Sequence, residues 1–136
     1  SSYGNPPHGV DRYNALCRAC KQRVRDNGID VIIPTGTAIQ NARNTSLNTE
    51  HDLTRDNTHL SYGVGRYVAA CTWFCRLLTP IFNVPILGNP AVHTVTEDEK
   101  TTSKYETSDV TAENNLLCQK CAFYANINLF AVTDIE

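Results

Sequence analysis

The stretch "GVDRYNALCRACKQRVRDNGIDVIIP", residues 9–34, decides how the chain is read. Val10, Tyr13, Cys17, Cys20 and Val24 recur at a spacing of three or four, with Arg and Lys between them. That period predicts an amphipathic helix over residues 9–27. Asn27 and Gly28 predict its end, because both tolerate the left-handed conformation. Ile29 to Pro34 is then a short β-branched apolar run, which predicts a buried strand stopped by Pro34. A helix leading directly into a buried strand is the half-unit of an α/β fold with a parallel sheet.

Outward from there, "TGTAIQNARNT" places Gly36 at a turn and predicts a short helix through Asn44, capped by Thr37. Residues 45–60 lack an apolar period and predict a loop. "SYGVGRYVAACTWFCRLL", residues 61–78, predicts a helix with Val64, Tyr67, Val68, Cys71 and Leu78 on one stripe and Ser61 as its cap. Pro80, Pro85 and Pro90 predict an irregular connection. A short surface helix is expected near Thr96. A last helix is expected over Ala112 to Asn128, with Leu117, Cys121, Tyr124 and Ala125 on its inner face. The tail "FAVTDIE" reads as extended. No repeat or linker divides the chain, so residues 1–136 read as one domain. A single strand cannot satisfy its own backbone, so the expectation is a partial domain whose other strands lie outside this sequence. The absence of any Met fits that expectation.

The formal net charge is -2, from 12 Lys plus Arg against 14 Asp plus Glu. That balance gives no electrostatic reason to expect nucleic acid or an anionic membrane as partner. No apolar run approaches the ~20 residues that cross a bilayer, and residues 1–10 do not read as a signal peptide. Nothing in the sequence fixes a compartment.

Chemistry concentrates in "LTRDNTHLSYGVGRY", residues 53–67. Asp56 lies three residues before His59. A His working as general base needs one ring nitrogen fixed as a donor, so that the other is free to accept a proton. A neighbouring carboxylate does this and stabilises the imidazolium. The same spacing equally suits a bland role, with Asp56 accepting N–H groups of its own turn and His59 at the surface. Spacing alone favours the bland role.

The motifs "PTGTAIQNAR" and "LTRDNTHLSYGVGRY", taken together, resemble an SGNH-type (GDSL-like) hydrolase branch from about residue 9 to the end, more weakly between residues 80 and 111. The resemblance implies the C-terminal portion of a flavodoxin-like three-layer α/β/α domain, helix-rich as given. It implies a serine-dependent ester hydrolase with His59 as general base and Asp56 as its orienting carboxylate. It also implies a substrate-binding or bracing role for Gln40, Thr37 and Arg43. Arg43 is read as a structural ion-pair partner. His51 and Asp52 fall outside the motif positions and are left to the loop. No cofactor or metal is implied. The partners implied are a small-molecule or carbohydrate ester and the missing N-terminal half of the domain. The sequence departs from the family in its nucleophile: no Ser sits between a strand and a helix among small neighbours, and Ser61 reads as a cap.

The six cysteines form close pairs, Cys17/Cys20, Cys71/Cys75 and Cys118/Cys121. C-x-x-C spacing admits a rival reading, a non-catalytic module stapled by zinc. Against it, all three pairs lie inside helical patterns, where Cys acts as a small hydrophobe.

Overall fold

The computed structural model describes residues 9–49 and 51–136. The helices are α1 (Val10–Asn27), α2 (Thr35–Arg43), α3 (Val64–Trp73), α4 (Thr79–Phe82), α5 (Glu97–Thr102) and α6 (Asn115–Ile127). A 3-10 turn, His51–Leu53, precedes α3. A π-helical turn, Phe74–Leu78, joins α3 to α4.

The α/β expectation is overturned. Among the described residues there is no strand and no sheet, only the isolated bridges Thr54–Leu60 and His93–Val110. The flavodoxin-like three-layer α/β/α architecture is therefore not the fold of this chain. Residues 29–34 leave α1 as irregular chain, with Ile29 and Val31 exposed. The physical reason is that a ladder needs a second extended segment to take its N–H and C=O groups. Among the described residues no extended segment pairs with residues 29–34.

What holds the molecule together is the packing of α2, α3 and α6. Ala38 and Ala42 from α2, Val64 and Val68 from α3, and Cys118, Cys121 and Ala125 from α6 form one buried cluster. The small residues let the helix backbones approach closely; Val64 and Val68 of the predicted α3 stripe enter this cluster, while Cys71 packs in a second one with Ile86 and Ala122. Leu78, the last residue of the π-helical turn, is exposed instead. Asn41 is fully buried, donating from Nδ2 to the Cys121 carbonyl (3.0 Å) and accepting the Thr133 N–H (2.8 Å). It thereby ties α2 to both α6 and the C-terminal tail. Gln119, also fully buried, pins the proline-bearing connection: it accepts from the Gly88 N–H (2.8 Å) and donates to the Asn89 carbonyl (2.7 Å). Unsatisfied amides are costly in a core, and both of these side chains are bonded at each end.

Helix α1 is attached differently. It stops where expected, with Gly28 left-handed at φ 60° and donating to the Val24 carbonyl. Of its predicted stripe, however, only Tyr13 is buried, and Cys20 is exposed. The Tyr13 hydroxyl meets Thr37 Oγ1 at 3.0 Å, and Thr37 donates to the Leu129 carbonyl at 2.7 Å. Thr37 is thus a buried joint inside α2, not a cap. Gly36 likewise lies in the first turn of α2 rather than in a separate turn. Helix α5 begins with a full capping box, the Thr96 hydroxyl accepting from Glu99 N–H while the Glu99 carboxylate accepts from Thr96 N–H.

Candidate functional site

The loop ahead of α3 is built from the backbone outward. His51, Asp52 and Leu53 all have positive φ (20°, 55° and 60°), an unusual run for side-chain-bearing residues. Thr54 locks it by donating both its N–H (3.1 Å) and its hydroxyl (2.8 Å) to the His51 carbonyl. The Arg55 N–H then donates to the His59 carbonyl at 3.0 Å, closing a tight turn around Asp56. Asn57 supplies the left-handed residue of that turn at φ 70°.

Asp56 does both jobs that its spacing allowed. Its Oδ1 accepts the main-chain N–H groups of His59 (2.7 Å) and Thr58 (3.0 Å), and its Oδ2 lies 2.7 Å from His59 Nδ1. One carboxylate oxygen makes the turn and the other orients the imidazole. His59 is exposed, and its Nε2 has no hydrogen-bond partner among the described residues. With Nδ1–H donated to the carboxylate, Nε2 carries the lone pair. Such a group accepts a proton from a hydroxyl brought to it.

The main-chain bond from His59, followed by its side-chain bond, lowers the Asp56 carboxyl from 3.8 to about 2. Because the folded value is depressed, the turn should keep its full carboxylate contribution above the ordinary range near 3.8 and lose it as pH falls through about 2. A carboxyl-carbon NMR titration of Asp56 checks this. A midpoint near 2 is expected, and an ordinary midpoint would show the bonds to be absent in solution.

Beside the loop lies a cavity of about 400 Å³ between α1 and α2, walled by Arg12, Tyr13, Ile39, Gln40, Arg43 and Leu60. Leu60, the residue after His59, connects it to the turn. Gln40 and Arg43 are both buried, and Arg43 Nε donates to the Asp52 carbonyl at 3.0 Å, bracing the strained run. Thr37 does not line the cavity. Ser61 is buried with its Oγ accepting the Gly65 N–H at 3.0 Å, but the N-cap of α3 is Gly63 and not the expected Ser61. No serine hydroxyl among the described residues is hydrogen-bonded to His59.

A profile of a family described as a domain of unknown function, DUF4886, matches residues 9–112. The chain belongs to the DUF4886 family. The matched region runs from α1 through α5 and includes the Asp56–His59 turn and the cavity. A crystal structure of a DUF4886 family protein from Bacteroides uniformis is similar, with 30% sequence identity and a TM-score of 0.66. The likeness covers 90% of this chain and 40% of that one, so the chain corresponds to well under half of that DUF4886 protein. No curated protein matches.

Cys71, Cys118 and Cys121 of this DUF4886 chain are buried core, whereas Cys17 and Cys75 are half-buried and Cys20 is exposed. Burial pushes the thiols of Cys71, Cys118 and Cys121 up to about 12 and that of Cys75 to about 11. Among the described residues no three His, Cys, Asp or Glu side chains are grouped so as to hold a metal ion. No helix among them is long and apolar enough to cross a membrane.

Sequence reasoning missed Tyr105. Its hydroxyl accepts from Asn57 Nδ2 at 2.7 Å, and its ring stacks on His51 at 3.5 Å between centroids. The contact spans 48 positions, and no local pattern signals it.

Proposed function

We propose that this chain supplies the general base and its orienting carboxylate to a serine-dependent ester hydrolase with SGNH-type chemistry. One observation carries the reading: the 2.7 Å contact between Asp56 Oδ2 and His59 Nδ1 on an exposed turn. His59 Nε2 takes the proton of a serine hydroxyl as that oxygen attacks the ester carbonyl, and later returns it to the leaving alkoxide. Asp56 keeps the ring in the accepting tautomer and offsets the charge of the imidazolium. The reading requires a nucleophile other than the chain's own serines. The greater length of the similar Bacteroides uniformis protein supports looking for it in a longer gene product. The substrate class is a small-molecule or carbohydrate ester.

The test is hydrolysis of aryl acetates by the full gene product that carries this sequence. Asp56→Asn keeps the shape of the side chain but replaces a charged acceptor. It should lower kcat about ten- to a hundredfold, the worth of one charge-assisted hydrogen bond, with KM little changed. An Asp56→Asn protein with unaltered kcat would remove the pair from the chemistry.

A further inference from the structure

We propose that Tyr105 is the positioning residue of the Asp56–His59 pair. The catalytic consequence rests on the reading of His59 as general base; the geometric claim stands without it.

The contact between the two side chains is not enough by itself to hold the pair. Its two side chains are 61% (His59) and 34% (Asp56) exposed. Contacts between groups so open to water are weak and exchange readily. The orientation comes from the turn that carries the pair, and Tyr105 holds that turn on both sides of Asp56, through the main chain before it and through the Asn57 side chain after it. Before it, the Arg55 carbonyl accepts the N–H groups of Lys104 (2.8 Å) and Tyr105 (3.2 Å). After it, Asn57 donates from Nδ2 to the Tyr105 hydroxyl at 2.7 Å. Asn57 holds a left-handed φ of 70°, a conformation that persists only where the surroundings support it. The Tyr105 ring also lies on His51, with an interplanar angle of 19°. His51 opens the positive-φ run that leads into the turn, so one side chain braces both the entry to the loop and its crest. Support of this kind, behind the reacting groups and fixed by a separate segment, is what holds a constellation to within a fraction of an ångström.

The experiment uses the full gene product and two variants. Tyr105→Phe keeps the ring on His51 and the main-chain bonds but removes the hydroxyl from Asn57. Tyr105→Ala removes the stack as well. The first measurement is nitrogen-15 and proton NMR of the His59 ring, following solvent exchange of the Nδ1–H held by Asp56. In Tyr105→Phe this exchange should quicken roughly tenfold, the effect of losing one supporting hydrogen bond. The thermal midpoint should stay close to the parent value. The second measurement is the pH profile of kcat on an aryl acetate. The expectation is a roughly tenfold fall in kcat, KM unchanged, and an acid limb displaced from the parent's. Unchanged Nδ1–H exchange in Tyr105→Phe overturns the proposal, even if kcat falls. Quickened exchange in a parent protein that hydrolyses no ester leaves Tyr105 in its role and removes the hydrolase reading instead. Should Tyr105→Ala fail to fold, the Phe variant alone decides.

Discussion

Gly63→Ala should lower the stability of the chain by roughly 3 kcal/mol or more, at or beyond the upper end of ordinary overpacking. A Cβ at position 63 would stand 1.8 Å from the Ser108 carbonyl oxygen and 2.9 Å from its carbon. The obstacle is backbone, so no rotamer change relieves it. Nor can the strap carrying Ser108 retreat easily. Ser108 accepts from the Val64 N–H, and the neighbouring Val110 exchanges both main-chain hydrogen bonds with His93 at 2.8 and 2.9 Å. Asp109 accepts from the Val95 N–H at 2.8 Å. Gly36→Ala is the matched control, since nothing lies within 4 Å of a Cβ there. It should be neutral or stabilising by up to about 1 kcal/mol, the helix preference for Ala over Gly. Urea unfolding of both variants makes the comparison. A Gly63 variant no less stable than the Gly36 variant would contradict the close approach. Gly65 obeys the same logic, with the Leu53 carbonyl oxygen 2.8 Å from its would-be Cβ. The "GVG" that opens α3 is therefore a packing device, which seats the Asp–His loop and the Ser108 strap against the helix start.

What could be read from the sequence divides along physical lines. Periodicity is local, and it located α3 and α6 and the stripe from Val64 to Cys71. The capping chemistry of Thr96 and Glu99 is local too, and α5 begins where it says. Burial is not local. The stripe of α1 has the right period, yet among its described residues only Tyr13 is buried, because a period states which face is apolar and not what covers it. The run Ile29 to Pro34 failed for the same reason: β-branched residues favour a strand only when a second strand accepts their hydrogen bonds. At the site, the adjacency of Asp56 and His59 was legible because three residues and one turn suffice to bring them together. The bracing by Arg43 was legible in outline, and its Nε donates to the Asp52 carbonyl. Tyr105 was not legible, because its contact to Asn57 depends on how residues 93–110 fold back over the loop.

His59→Ala should cost the full gene product about 10²- to 10⁴-fold in kcat on an aryl acetate, the usual contribution of a positioned general base. The loss should fall on kcat rather than KM, because the imidazole acts on the moving proton and not on the resting ester. The substitution separates chemistry from folding unusually well at this position. The Asp56 Oδ1 bonds go to the main-chain N–H groups of Thr58 and His59, and the Arg55 N–H donates to the main-chain carbonyl of His59. An alanine keeps all three, so the turn should persist and the unfolding midpoint should hardly move. Added imidazole should restore part of the turnover in His59→Ala, because the vacated space opens to solvent and a free base can enter it. It should restore nothing in Asp56→Asn, where the ring is still present but loses its charged acceptor. A His59→Ala protein with parental kcat would leave Asp56 as the architect of a turn alone, and the exposed imidazole as an ordinary surface side chain.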